Sequence, residues 1–210
     1  MGLALVGAGS REGRAFEDAA ARDIRAKLTG DKAKVSVRTR PSGLLGYLLG
    51  DLSEVRISAS EFGTEGLPLF TEPNRSTRGR ARRLVILLED FQLKRLRIQR
   101  LEATIPNCRF DLGLAMRSRK VRLSKSGIGT GTVKILATDL EAFILDKFRE
   151  IKSVKVAIRE GKVFVDGYGE FLIVKTNFTV IAQLEPIDGT KLALVNAKIL
   201  FDGRAADEPS

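Results

Sequence analysis

Histidine and tryptophan are missing from the chain, cysteine occurs once, methionine twice, and aromatic residues make up only 6%. Each shortage removes some chemistry. Without histidine, imidazole acid–base catalysis and the usual zinc ligand sets lose their defining group. The single cysteine, Cys108, leaves no disulfide to form within the chain. No apolar run approaches the roughly 18 residues of a membrane-spanning helix, so any meeting with a membrane is expected from outside.

The 210 residues are 43% hydrophobic and 30% charged, enough for one good core or for one drawn out along a long sheet. A single domain is expected over residues 11–203, followed by a disordered tail at 204–210. Residues 1–10, MGLALVGAGS, have the apolar part of a secretory signal without its basic start, and read as a flexible N-terminus or a signal remnant. The net charge of +10 is unevenly placed: Thr71 to Lys125 holds fifteen Lys/Arg against five Asp/Glu, and the rest balances.

Arg11 to Leu28 reads as a helix, because Phe16, Ala20, Ile24 and Leu28 recur on one stripe opposite Arg, Asp and Glu. Val35 and Val37 alternate with polar residues in a strand that Pro41 ends, and Val55, Ile57 and Ala59 make a second. TEPNRSTRGRARR, Thr71 to Arg83, is polar, basic and broken by Pro73 and Gly79, hence an exposed loop. Leu84 to Ile105 keeps an approximate period of two with slips that suggest bulges, one of them at Glu89-Asp90. Thr138 with Glu141 forms a capping box that opens a helix over Asp139 to Glu150, with Leu140, Phe143, Ile144 and Phe148 turned inward. From Ser153 the chain is a meander with turns at Glu160-Gly161 and Asp188-Gly189. KAKVSVR after the first helix and SVKVAIR after the second hint at a weak duplication. The pattern is α+β, with long strands that their short turns make antiparallel.

An enzyme is not expected. Carboxylates are plentiful but sit in no motif, and GIGTG at Gly127 to Gly131 lacks the Gly-Lys-Ser/Thr of a phosphate loop. Nucleic acid is not expected either. Arg75, Arg78, Arg80, Arg82 and Arg83 suit phosphates, yet no aromatics interleave with them and no helix carries a basic reading face. A solvated basic turn or contact with an anionic membrane surface fits that segment better. Cys108, beside Pro106-Asn107, has no visible activating group and reads as incidental.

RPSGLLGYLLGD, Arg40 to Asp51, is the greasiest stretch of this basic chain. Leu44, Leu45, Leu48 and Leu49 share one face of a two-turn helix, Tyr47 flanks them, and Gly43 and Gly50 punctuate its ends. Two readings stand. The leucines cap the end of the sheet as core, or they sit at the mouth of an apolar groove and touch acyl chains. Phe143 and Phe148 divide the same way, between core and groove lining.

The run VSVRTRPSGLLGYLLGDLSEVRISASEF, with Gly66-Leu67 after it, resembles the LmeA-like proteins, bacterial envelope proteins that bind phospholipid. TVKILATDLEAFILDKF, Thr132 to Phe148, and the Val-rich hairpin from Val154 extend the likeness, which spans roughly residues 12–203. The resemblance implies a long curved antiparallel sheet wrapped around one or two helices, similar to tubular lipid-binding domains of the bactericidal/permeability-increasing type. It implies a non-catalytic protein of the cell envelope, periplasmic or peripheral to the membrane, with no cofactor and with phospholipid as partner. An incomplete signal leaves a cytoplasmic location open. On this reading Phe16, Ile24, Leu44, Leu45, Tyr47, Leu48, Leu49, Phe143 and Phe148 contact lipid, while Arg75, Arg78, Arg80, Arg82 and Arg83 meet phosphate or an anionic membrane. The arginine-rich segment itself has no counterpart in the family pattern. The alternative is a structural or protein-interaction module with a filled core. The head group, any transfer activity and the oligomeric state are not encoded in these motifs.

Overall fold

The computed structural model describes residues 3–66, 71–118, 120–171, 174–187 and 191–205. The chain is α+β and dominated by sheet. It divides into two compact units, Met1–Lys94 with Ile98–Lys134, and Arg95–Arg97 with Ile135–Ser210. The reason lies in the strands, which form two separate sheets, each with its own helix and its own core.

The first unit opens with α1, Leu3–Arg25, which starts well before the expected Arg11 and takes in residues read as a flexible end. Its last turn carries Arg22 and Arg25, favourable against the helix dipole. Leu28 lies beyond the helix but is buried. Then come β1 (Lys34–Pro41), the single turn α2 (Gly46–Leu49), β2 (Asp51–Ser60) and β3 (Gly63–Thr64). The paired strands β4 (Gly79–Leu93) and β5 (Leu96–Phe110) follow, then α3 (Leu112–Ser118), β6 (Leu123–Lys125) and β7 (Thr130–Lys134).

The seven-stranded sheet has the order β1-β2-β4-β5-β6, with β3 on β4 and β7 on β5. Not all of it is antiparallel. β2 and β3 pair with β4 in parallel, because the long stretch between Thr64 and Gly79 gives the crossover that parallel neighbours require. Between β4 and β5, Lys94 and Arg95 both hold positive φ (49° and 75°), the signature of a type I′ hairpin. Asp90, at φ 48°, interrupts β4 where the slip in periodicity falls.

The second unit holds α4 (Ala137–Lys147) and the strands β8 (Ile151–Arg159), β9 (Lys162–Phe171), β10 (Val174–Ile187), β11 (Lys191–Phe201) and β12 (Arg204–Ala205). These run β12-β11-β10-β9-β8, antiparallel throughout. Glu160 and Gly161 turn β8 into β9 with φ of 50° and 74°. The Asp188-Gly189 turn lies outside the described residues. Val154, Val156, Val163, Val165 and Phe178 form the core, with Leu140 and Ile144 of α4 packed on it.

The capping box at Thr138 is replaced. Leu136 stands at the cap position with no side-chain bond, and Glu141 instead accepts the backbone N–H of Val156 at 2.8 Å. β8 is an edge strand, so that N–H has no strand partner and a carboxylate supplies one. The first unit repeats the device: Glu17 of α1 accepts the N–H of Thr39, on edge strand β1, at 2.5 Å and its hydroxyl at 2.8 Å. Each unit is thus a helix whose glutamate clamps the free edge of the sheet that follows it.

Candidate functional site: an apolar cleft and a leucine-rich turn

α1 lies over the seven-stranded sheet without filling the space beneath it. A cavity of about 180 Å³ runs between Phe16, Ala20 and Ile24 of the helix and Val37, Leu52, Ile57, Ile86, Cys108 and Phe110 of the sheet. A second cavity, of about 400 Å³, is lined by Gly13, Tyr47, Gly50, Leu112, Ala115 and Met116. Phe16, Leu52 and Phe110 line both, so the two are neighbouring chambers divided by three apolar side chains. The larger falls within the range of small-molecule sites, about 300–1,000 Å³.

One end of the first chamber is polar. Asp23, Lys27 and Arg122 line it; Arg122 donates to Asp23 at 3.2 Å and lies 3.5 Å from Glu72, and Lys27 reaches Asp23 at 3.3 Å. Burial pushes the Asp23 carboxyl up, but the bonds from Arg122 and Lys27 outweigh it and hold the group below its ordinary value. Elsewhere the lining carries little chemistry. Cys108 is fully buried, and burial raises its thiol from 9.0 to about 11, so near neutral pH it is almost wholly protonated and a weak nucleophile. Among the described residues no group of three potential ligands could hold a metal ion.

The leucines of the Arg40 to Asp51 stretch do not close the core. Leu44 is 93% exposed, Leu45 56%, Leu48 58% and Leu49 65%. The cause is Gly46, the one buried residue of α2. A side chain there would meet the Asp51 carbonyl at 2.7 Å and Pro41 at 2.8 Å, so the helix backbone lies directly on the link between β1 and β2 and its leucines are turned out. Gly50 ends the turn at φ 64° and abuts Leu112, which brings α2 and α3 together. Tyr47 alone turns inward. Its hydroxyl donates to the Thr39 carbonyl at 3.2 Å and shares a 3.0 Å bond with the Thr39 hydroxyl, while its ring covers Gly13. Four large apolar side chains are exposed within six residues, where fully burying one leucine is worth about 1.5–3 kcal/mol.

The five arginines separate into two sets. The exposed loop ends at Arg78, because β4 begins at Gly79. Arg75 bonds Glu72, Arg82 reaches Asp51 at 3.4 Å, and Arg83 bonds Glu54. The Arg83 bond leads the effects that hold Glu54 below its ordinary value, against some burial. These three are neutralised within the fold. Among the described residues Arg78 and Arg80 have no ion-pair partner.

Phe16 and Ile24 line the first chamber and Phe16 and Tyr47 the second, whereas the four leucines line neither and stand exposed on the turn that carries Tyr47. Phe143 is elsewhere, on α4 in the second unit, and Phe148 lies just past that helix. Phe148 is exposed rather than inward because the helix ends at Lys147, and Lys147 lies over both rings at about 5.5 Å. Leu52, Phe110, Leu112 and Met116 were not anticipated. The one signal for α3 is Asp111, whose carboxylate accepts the Leu114 N–H at 2.9 Å as an N-cap does. No helix among the described residues is long and apolar enough to cross a membrane. Comparisons with family sequence profiles, with curated proteins and with solved structures returned no match to this chain.

Proposed function

We propose that the first unit binds an acyl-chained amphiphile, a phospholipid, in the cleft beneath α1, and that the protein is non-catalytic and acts at the bacterial envelope. One observation carries the reading: two adjoining apolar chambers lead from beneath α1 to a turn whose four leucines face solvent. A filled-core module has no need of either. The resemblance to the LmeA-like proteins supports the ligand class and the envelope location, and it favours a tubular lipid-binding ancestry for the helix-on-sheet units.

The test is native mass spectrometry of the freshly purified protein, followed by organic extraction of what it carries. A stoichiometric phospholipid is expected, and Leu45→Asp with Leu48→Asp lowers its retention in a protein with unchanged circular dichroism, because both positions are exposed. A clean apo mass, with no uptake from added phospholipid, sinks the reading and returns the chain to the interaction module.

A further inference from the structure

We infer that the end of the seven-stranded sheet bearing α2 and α3 docks on an anionic phospholipid bilayer. Leu44, Leu45, Leu48, Leu49 and Met116 enter the interfacial layer, and Arg40, Arg78, Arg80 and Arg117 rest on lipid phosphates. The inference deepens the lipid reading and rests on it only for what enters the cleft.

The placement follows from contacts. Gly50 packs against Leu112, so α2 meets the start of α3, and Met116, also exposed, stands on that helix. The Arg80 N–H donates to the Gly50 carbonyl at 2.7 Å, and Arg78 is two residues earlier in the chain. Arg40 precedes Pro41, the residue on which Gly46 sits, and Arg117 is in the last turn of α3. Five exposed apolar side chains thus share this end of the sheet with four arginines.

The charge at this end is one-sided. Its acids are spent inside the fold: Asp51 on Arg82, Glu54 on Arg83 and Arg56, and Asp111 on the α3 backbone. Among the described residues Arg40, Arg78, Arg80 and Arg117 have no ion-pair partner. A second copy of this surface would set arginine against arginine across a two-fold axis, which is unfavourable. An anionic bilayer complements both parts at once, taking leucine into its acyl boundary and arginine onto its phosphates. The chamber lined by Tyr47 and Met116 lies at the same end, so docking sets it against the lipid.

Flotation of the full chain with vesicles tests this. The wild-type protein is expected to float with phosphatidylglycerol-rich vesicles but not with pure phosphatidylcholine, and to release as salt shortens the screening length from about 10 Å to about 3 Å. Arg78→Gln, Arg80→Gln and Arg117→Gln should each lower partitioning about fivefold. Leu44→Asp with Leu49→Asp should lower it about a hundredfold or more; Met116→Ser gives an independent, milder loss of about tenfold. Wild-type protein that stays down with anionic vesicles overturns docking, as do variants that float like wild type. So does a dimer in sedimentation equilibrium that Leu44→Asp with Leu49→Asp dissolves, since a second copy then covers the turn. Uptake of short-chain phosphatidylglycerol from monomeric solution separates the two readings. Flotation without uptake supports docking and sinks the cleft reading, whereas uptake without flotation overturns docking alone.

Discussion

Cys108 is the only thiol in the chain and it lines the cleft, which makes it a reporter needing no engineering. Thiol reagents attack the thiolate. At pH 8 a thiol with the ordinary value of 9.0 is about one-tenth ionised, while one raised to about 11 is about one-thousandth ionised. Ionisation alone therefore slows the native reaction about a hundredfold relative to the chain in urea, and full burial slows it further. The perturbation is to add a phospholipid below its critical micelle concentration. An occupant of the chamber stands between Cys108 and the reagent, so the native rate should fall again while the rate in urea stays constant. The assay is stopped-flow absorbance with a chromogenic disulfide, with mass spectrometry confirming a single adduct. A native rate within tenfold of the urea rate would refute the burial argument. A slow native rate that no phospholipid changes would refute the occupancy argument.

The two edge clamps make local predictions. Glu17→Ala removes the acceptor of the Thr39 N–H and should cost about 1–3 kcal/mol, read as lost hydrogen-exchange protection at Thr39; Glu141→Ala should do the same at Val156. Gly50→Ala sets a Cβ 2.6 Å from Leu112 at φ 64°, and should lower the denaturant midpoint by about 1–3 kcal/mol with the slope unchanged. Asp23 and Glu54 both have lowered values in the fold. Their contribution is therefore present above their ordinary values of 3.8 and 4.5 and is lost as pH falls through the folded ones. Partial exposure limits each to about 1 kcal/mol. Melting temperature should drop on acidification below about pH 4.5, and Arg122→Gln should flatten Asp23's share; an unchanged profile in that variant would show that the pair does not couple to folding.

The local grammar of the chain was easier to read than its long-range pairing. The stripe of α1, the alternation in β1 and β2 and the Glu160-Gly161 turn are set by neighbours in sequence, and the backbone follows them. What escaped depended on distant partners. Glu141 reads as a capping residue until β8 presents an unpaired N–H. β4 pairs in parallel with β2, although the short turns elsewhere suggested antiparallel strands throughout. The cleft was half legible: Phe16 and Ile24 announce an apolar face, but only the sheet's order brings Phe110 and Leu52 opposite Phe16. The leucines were conspicuous, yet their exposure was decided by Gly46, a residue without a side chain, pressed against Pro41 and Asp51.

The Glu17 bond also has a mechanical meaning. Since α1 is tied to β1 along one margin of the sheet, lifting the helix from the cleft would have to break the Glu17 bonds or turn about that margin. The opposite side carries Arg122 on Asp23, an ion pair only about one-quarter exposed, next to β6, while paired backbone bonds between Thr29 and Gly63 at 2.9 Å hold the chain just past the helix. The two fastenings thus differ in kind: a carboxylate gripping a strand-edge N–H, and a charge pair at the polar end of the chamber whose strength added salt lowers.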